Sequence, residues 1–179
     1  ASSGARDAQQ DLIRAMQSHD IRLRATALRH APRDTSRMAT WHWLNAMNTV
    51  SPAAKAELVT MLGNRGDAYA LPGLLKALED EAPAVRLAAI SASAKLGGAQ
   101  ALPALLETLQ YAGDDETQAV KTALLGMAGE SVMPGIGAAL PGTPEAARVA
   151  LLEVLAARRA ADQGEAIFGQ AASPSEAVR

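Results

Sequence analysis

The chain has 179 residues, 49% of them apolar, yet only five are Phe, Trp or Tyr. Ala and Leu supply the apolar content with few runs of Val, Ile or Thr, which favours helices over sheets, and a net charge of −2 offers no global field for nucleic acid or an anionic membrane. The lack of Cys excludes a disulfide framework and thiolate metal sites; no run nears the roughly eighteen apolar residues of a membrane span, so the chain reads as soluble, with the compartment open.

The opening "ASSGARDAQQ" has neither Met nor an apolar signal core, as in a processed chain or a piece of a longer one. Residues 1–6 are expected to be disordered or expression-derived. Through Met38, Arg6, Arg14, Arg22, Arg24, Arg29, Arg33 and Arg37 face only Asp7, Asp11, Asp20 and Asp34, so the amino end is basic.

Two helix series then alternate. The first starts with Leu12, Ile13 and Met16 and continues through Trp43, Leu44 and Met47, Leu74, Leu75 and Leu78, Leu105 and Leu109, Ile136 and Leu140, to Ile167 and Phe168. Pro72, Pro103 and Pro134 mark it at intervals of thirty-one residues. The second series reads "LRATAL" (23–28), "PAAKAELV" (52–59), "PAVRLAAISASAKLGG" (83–98), "AVKTALL" (119–125) and "ARVALL" (147–152). Its fourth member is read as displaced by four residues, a longer loop offset by a shorter helix, because strict register puts Lys121 in an aliphatic column; such a slip turns the face by only about 40°.

Apolar residues recur at i, i+3, i+4 and i+7, as in Leu71, Leu74, Leu75 and Leu78, which draws one stripe along each helix. Pro52 and Pro83 suit first turns, Ser51 and Asp115 suit caps, and Gly63, Gly66, Gly97 and Gly98 suit helix ends. Neither helix of a pair can bury its stripe alone, so pairs must stack. The predicted fold is an all-α solenoid of about eleven helices in five to six pairs, a single array over residues 7–171 with a flexible tail at 172–179. Leu105 and Leu106 are expected in its core.

The motif "LPxLLxxL", the acidic turn "EDEAP" and the following "VRxxAIxAxxxLG" resemble the HEAT repeat, in particular its short bacterial form of the phycobilisome-lyase type. The resemblance implies a right-handed α-α superhelix with the second series on its inner, concave side. The family's basic position maps onto Arg24, Lys55, Arg86, Lys121 and Arg148. An acid six residues earlier is present only as Asp80 and Asp115, so the column reads as local caps and pairs.

Little in the chain reads as chemistry. His19, His30 and His42 stand at separate helix ends or turns without metal-ligand spacing, and none is followed by Glu, which excludes a close match to the HEAT-like di-iron hydroxylases. Glu79, Asp80 and Glu81, and likewise Asp114, Asp115 and Glu116, sit in turns before helices and read as caps. "GNRGDAYALPG" lacks the Lys of a P-loop, and neither Ser91 nor Ser131 lies in a nucleophile elbow. In "WHW", Trp43 falls in a core column and Trp41 where later repeats place Pro, partly exposed.

Function is therefore expected on the concave face. Positions two, five and nine residues past the basic column give Thr26, Arg29 and Arg33, then Glu57, Thr60 and Asn64, then Ala88, Ser91 and Lys95, and Ala150, Glu153 and Ala157; Arg22 joins them at the basic end. The expectation is a non-catalytic scaffold or protein-interaction module without cofactor or metal, a segment of a larger protein that binds a protein, a peptide or its own adjacent domains. Two rivals follow from the resemblance: a bilin-lyase-like protein or other enzyme accessory subunit, which wants aromatics and acids in the groove, and an alkylpurine-glycosylase-like nucleic-acid binder, which wants a strongly basic one.

Overall fold

A computed structural model describes residues 3–31, 36–173 and 175–178; these form eleven α-helices and contain no strand. The second-series helices are α2 (Ile21–His30), α4 (Pro52–Arg65), α6 (Pro83–Gly97), α8 (Asp114–Gly126) and α10 (Glu145–Ala157). The first-series helices are α1 (Ser3–Met16), α3 (Arg37–Ala46), α5 (Leu71–Lys76), α7 (Leu102–Thr108), α9 (Val132–Ala139) and α11 (Gly164–Phe168), with 3-10 turns prolonging α5 over Ala77–Glu79 and α9 over Leu140–Gly142. Helix α1 starts ahead of residue 7, where the array was expected to begin. Contacts gather the chain into two compact units, Ala1–Ala92 and Ser93–Arg179.

The second-series helices begin at residues 21, 52, 83, 114 and 145, thirty-one apart throughout. No slip occurs at the fourth. Helix α8 starts in strict register, its N-cap is Gly113 and not Asp115, and Asp114, Asp115 and Glu116 form its first turn, where carboxylates complement the helix dipole. Lys121 does enter the aliphatic column, and it is accommodated by an ion pair with Glu153 that leaves its side chain 24% exposed. Thr117, in turn, occupies the basic column.

Strict register makes the core columns plain. In the first series Trp43, Leu74, Leu105 and Ile136 are fully buried, and Met16, Met47, Leu78, Leu109 and Leu140 are buried beneath them. In the second series Ala27, Leu58, Ala89, Val120 and Leu151 form one buried column, and Ala31, Leu62, Ser93, Leu124 and Leu155 another. Each large aliphatic side chain so removed from water contributes about 1.5–3 kcal/mol before conformational entropy is set against it. Leu106 is only half-buried, since one residue past the stripe rotates it to the margin.

In unit 1, Ser51 caps α4 by accepting from the Ala54 N–H, with Pro52 in the first turn, as expected. Gly66 ends that helix in the left-handed conformation, φ 77°, where a Cβ would be strained. Gly63 is no helix end but a buried interior residue: a Cβ there would lie 2.5 Å from the Ala92 Cβ, so its absence lets α4 and α6 approach closely. His42 sits inside α3, not at its end, with its ring edge-on to Trp41 at 5.0 Å.

In unit 2, Gly135 admits Leu102 between α7 and α9; a Cβ would meet the Leu102 Cδ2 at 2.6 Å. The carboxyl end, expected to be a flexible tail, packs against the unit. Val178 is 4% exposed, and the Ser175 hydroxyl donates to Glu145 at 2.6 Å.

Candidate protein-interaction face

Most of the sequence-predicted residues fall on the solvent face of the second-series helices. On α2, Arg22, Thr26 and Arg29 are exposed and spaced i, i+4, i+7, one face of the helix. On α4, half-buried Glu57 is followed by exposed Thr60 and Asn64. Ser91 and Lys95 are exposed on α6, as are Glu153 and Ala157 on α10. Ala88 is half-buried; Ala150, expected in the groove, is buried, because Ala on α10 is small enough to turn into the packing. Arg33 lies outside the described residues. Strict register adds Thr122 of α8, exposed and in line with Arg29, Thr60, Ser91 and Glu153, which the assumed slip had concealed.

Two arginine ties join α2 to α4. Arg24 reaches Glu57 with Nε and Nη2 at 3.0 and 3.3 Å, while its Nη1 donates to the Ser18 and His19 carbonyls at the entry to α2. The hydrogen bond to Glu57 holds the Arg24 guanidinium above its already high ordinary pKa. Further along, Arg65 donates from Nη1 to the Ala31 carbonyl at 3.1 Å, which the C-terminal end of α2 leaves without an intrahelical partner, and from Nη2 to the Ser36 carbonyl at 3.0 Å at the entry to α3. Between the ties lies a cleft of about 290 Å³ lined by Leu28, Glu57, Thr60, Met61, Asn64 and Arg65.

The basic column thus acts as caps and pairs. Arg86 donates to the Asp80 and Glu81 carbonyls, and Arg148 to the Thr143 carbonyl. Lys55 pairs with Asp80, which also accepts from the Ala82 N–H. Burial alone would raise the Asp80 pKa; Lys55, that N–H and the Arg86 charge outweigh it and hold the carboxyl below the usual range. Asp67 is lowered likewise, chiefly because the Thr40 hydroxyl donates to it. Sequence reasoning missed the second Arg column, Arg65 and Arg158. In unit 2, Arg158 donates to the Leu125 and Met127 carbonyls, and its only sequence signal was a basic residue at a helix end.

The threonines of the face have spent their protons inside their own helices. Thr26 donates to the Arg22 carbonyl, Thr60 to that of Ala56 and Thr122 to that of Gln118. Among the described residues Arg22 and Arg29 make no ion pair, and no group of three or more His, Asp or Glu is placed to hold a metal ion. No described helix is long and apolar enough to cross a membrane.

Residues 41–125 match the family of HEAT repeats, so the repeat seen in the sequence is a HEAT repeat over that stretch. No curated protein matches the chain. Among solved structures it is similar to human deoxyhypusine hydroxylase in complex with glycerol, at 17% identity and a TM-score of 0.48, over 98% of this chain and 94% of that one. A designed armadillo repeat protein is similar at 19% identity and a TM-score of 0.43, over 94% of each chain.

Proposed function

We propose that the chain is a non-catalytic scaffold or protein-interaction module, and that unit 1 presents its partner-binding face on α2 and α4. The observation that carries this reading is a formed cleft between α2 and α4, lined by Leu28 and Met61, with Arg22 and Arg29 exposed on α2 and in no ion pair among the described residues. Arginine beside apolar surface is a favoured anchor for protein partners. The acids of the face are committed to structure, Glu57 to Arg24 and Glu153 to Lys121, which suits a recognition surface better than proton transfer.

Arg22→Glu/Arg29→Glu tests the reading, since both side chains are exposed and their replacement leaves the core untouched. Cross-linked capture from the native source, wild type beside variant, should show partners weakened in the variant, with the loss shrinking as salt rises. Equal recovery by two equally helical proteins would refute the assignment of this face.

A further inference from the structure

Resting on that reading, we infer that the α2–α4 cleft takes an acidic peptide segment carrying one aliphatic side chain, seated on Leu28 and Met61 with neighbouring carboxylates on Arg22 and Arg29. The cleft is pre-organised. The Arg24–Glu57 tie and the Arg65–Ala31 tie bracket it, so little ordering is required when a ligand enters. Its volume of about 290 Å³ lies at the lower edge of small-molecule sites, a size for a side chain and not for a large cofactor.

Charge decides what flanks that side chain. Arg65 lines the cleft and Arg24 holds its lining residue Glu57, while Arg29 directly follows the lining Leu28 on α2 and Arg22 is exposed two turns earlier on the same helix, where Asp20 serves as the N-cap. Glu57 is the one acid within α2 and α4, so a basic peptide would meet Arg22 and Arg29 with no free carboxylate on either helix to receive it. Thr26 and Thr60 have donated to their own helices, so neither hydroxyl proton is left for a ligand carboxylate and the arginines are the charged donors available to it. A single nucleic-acid strand would also meet positive charge, but its bases need stacking surfaces. The exposed Trp41 and Tyr69 of unit 1 lie on α3 and on the 3-10 turn Ala68–Ala70, not on α2 or α4.

The experiment is a fluorescence-anisotropy titration of the whole chain with a short labelled peptide of Glu and Ser around one central Leu. The controls are the same peptide with Leu→Ser, a Lys-for-Glu version, and a single-stranded oligonucleotide. Exposed Thr60 stands at the cleft, so Thr60→Trp fills it without entering the core. The Leu peptide should bind wild type and lose about tenfold or more on Leu→Ser or on Thr60→Trp. Arg22→Glu/Arg29→Glu should weaken it most at low salt.

Equal binding of the Leu and Ser peptides, equal binding of the Lys peptide or the oligonucleotide, or no binding by the acidic peptide each overturns the inference. If the acidic peptide fails while Arg22→Glu/Arg29→Glu still abolishes capture of native partners, the acidic-anchor inference falls and the interaction face stands. If the charge reversal leaves that capture unchanged, both fall.

Discussion

The two units tie successive second-series helices with the same pair of devices, built from different chemistry. In unit 1 Arg24 makes a forked contact with Glu57 and takes two carbonyls besides, its side chain only 10% exposed. In unit 2 the tie is Lys121 to Glu153, with the acid 53% exposed. Each unit adds an arginine that reaches back to carbonyls at the end of the preceding second-series helix, Arg65 in one and Arg158 in the other. A guanidinium can satisfy several acceptors in a fixed fork, whereas an ammonium is a mobile point charge. Unit 1 thus has a cleft bracketed by two ties and exposed Arg22 and Arg29 on α2, whereas the face of unit 2 carries Asp115, Thr122 and Glu153.

The largest effect should come from the buried columns, where the units are expected to behave alike. Leu74→Ala in unit 1 and Leu105→Ala in unit 2 remove fully buried side chains from one column, and each should cost about 2–5 kcal/mol in chemical denaturation. A neutral result for either would break the column. A smaller, unequal pair is Gly63→Ala and Gly135→Ala. The first drives a Cβ onto the Ala92 Cβ and backbone and should cost about 1–3 kcal/mol despite the better helix propensity of Ala. The second meets only the tip of the Leu102 side chain, which can rotate away, and should cost less.

Next in size is the contrast between the ties. Arg24→Met strands Glu57 and the Ser18 and His19 carbonyls, so it should lower the melting temperature more than Lys121→Met, which frees an acid already half in water. Equal shifts would mean that the fork has no advantage over the lysine. The smallest effect is acid sensitivity. Asp67 and Asp80, both in unit 1, have carboxyls held below their ordinary range, so the unfolded chain binds their protons first. Their contribution is complete above the ordinary carboxylate range and is lost as pH falls through the lowered values. Asp80→Asn should flatten the acid limb of a stability-against-pH curve; an unchanged limb would place the acid sensitivity elsewhere.

The amino-acid sequence by itself determined the two helix series, their thirty-one-residue spacing, the burial of Trp43, Leu74 and Leu105, and the partial exposure of Trp41, because apolar periodicity is a local signal that packing has to obey. It also placed Arg22, Thr26, Arg29, Thr60 and Asn64 toward solvent, though not the half-burial of Glu57. The tertiary structure decided what neighbours would tolerate. Lys121 looked impossible in an aliphatic column, so a slip was inferred; Glu153, thirty-two residues on, supplies the partner that makes strict register acceptable. Gly63 looked like a helix end until Ala92 was placed against it, and the roles of Arg65 and Arg158 emerged only once carbonyls of the preceding repeat came within their reach. Pairing, close approach and the cleft between two ties depend on residues distant in the chain, and no local pattern encodes them.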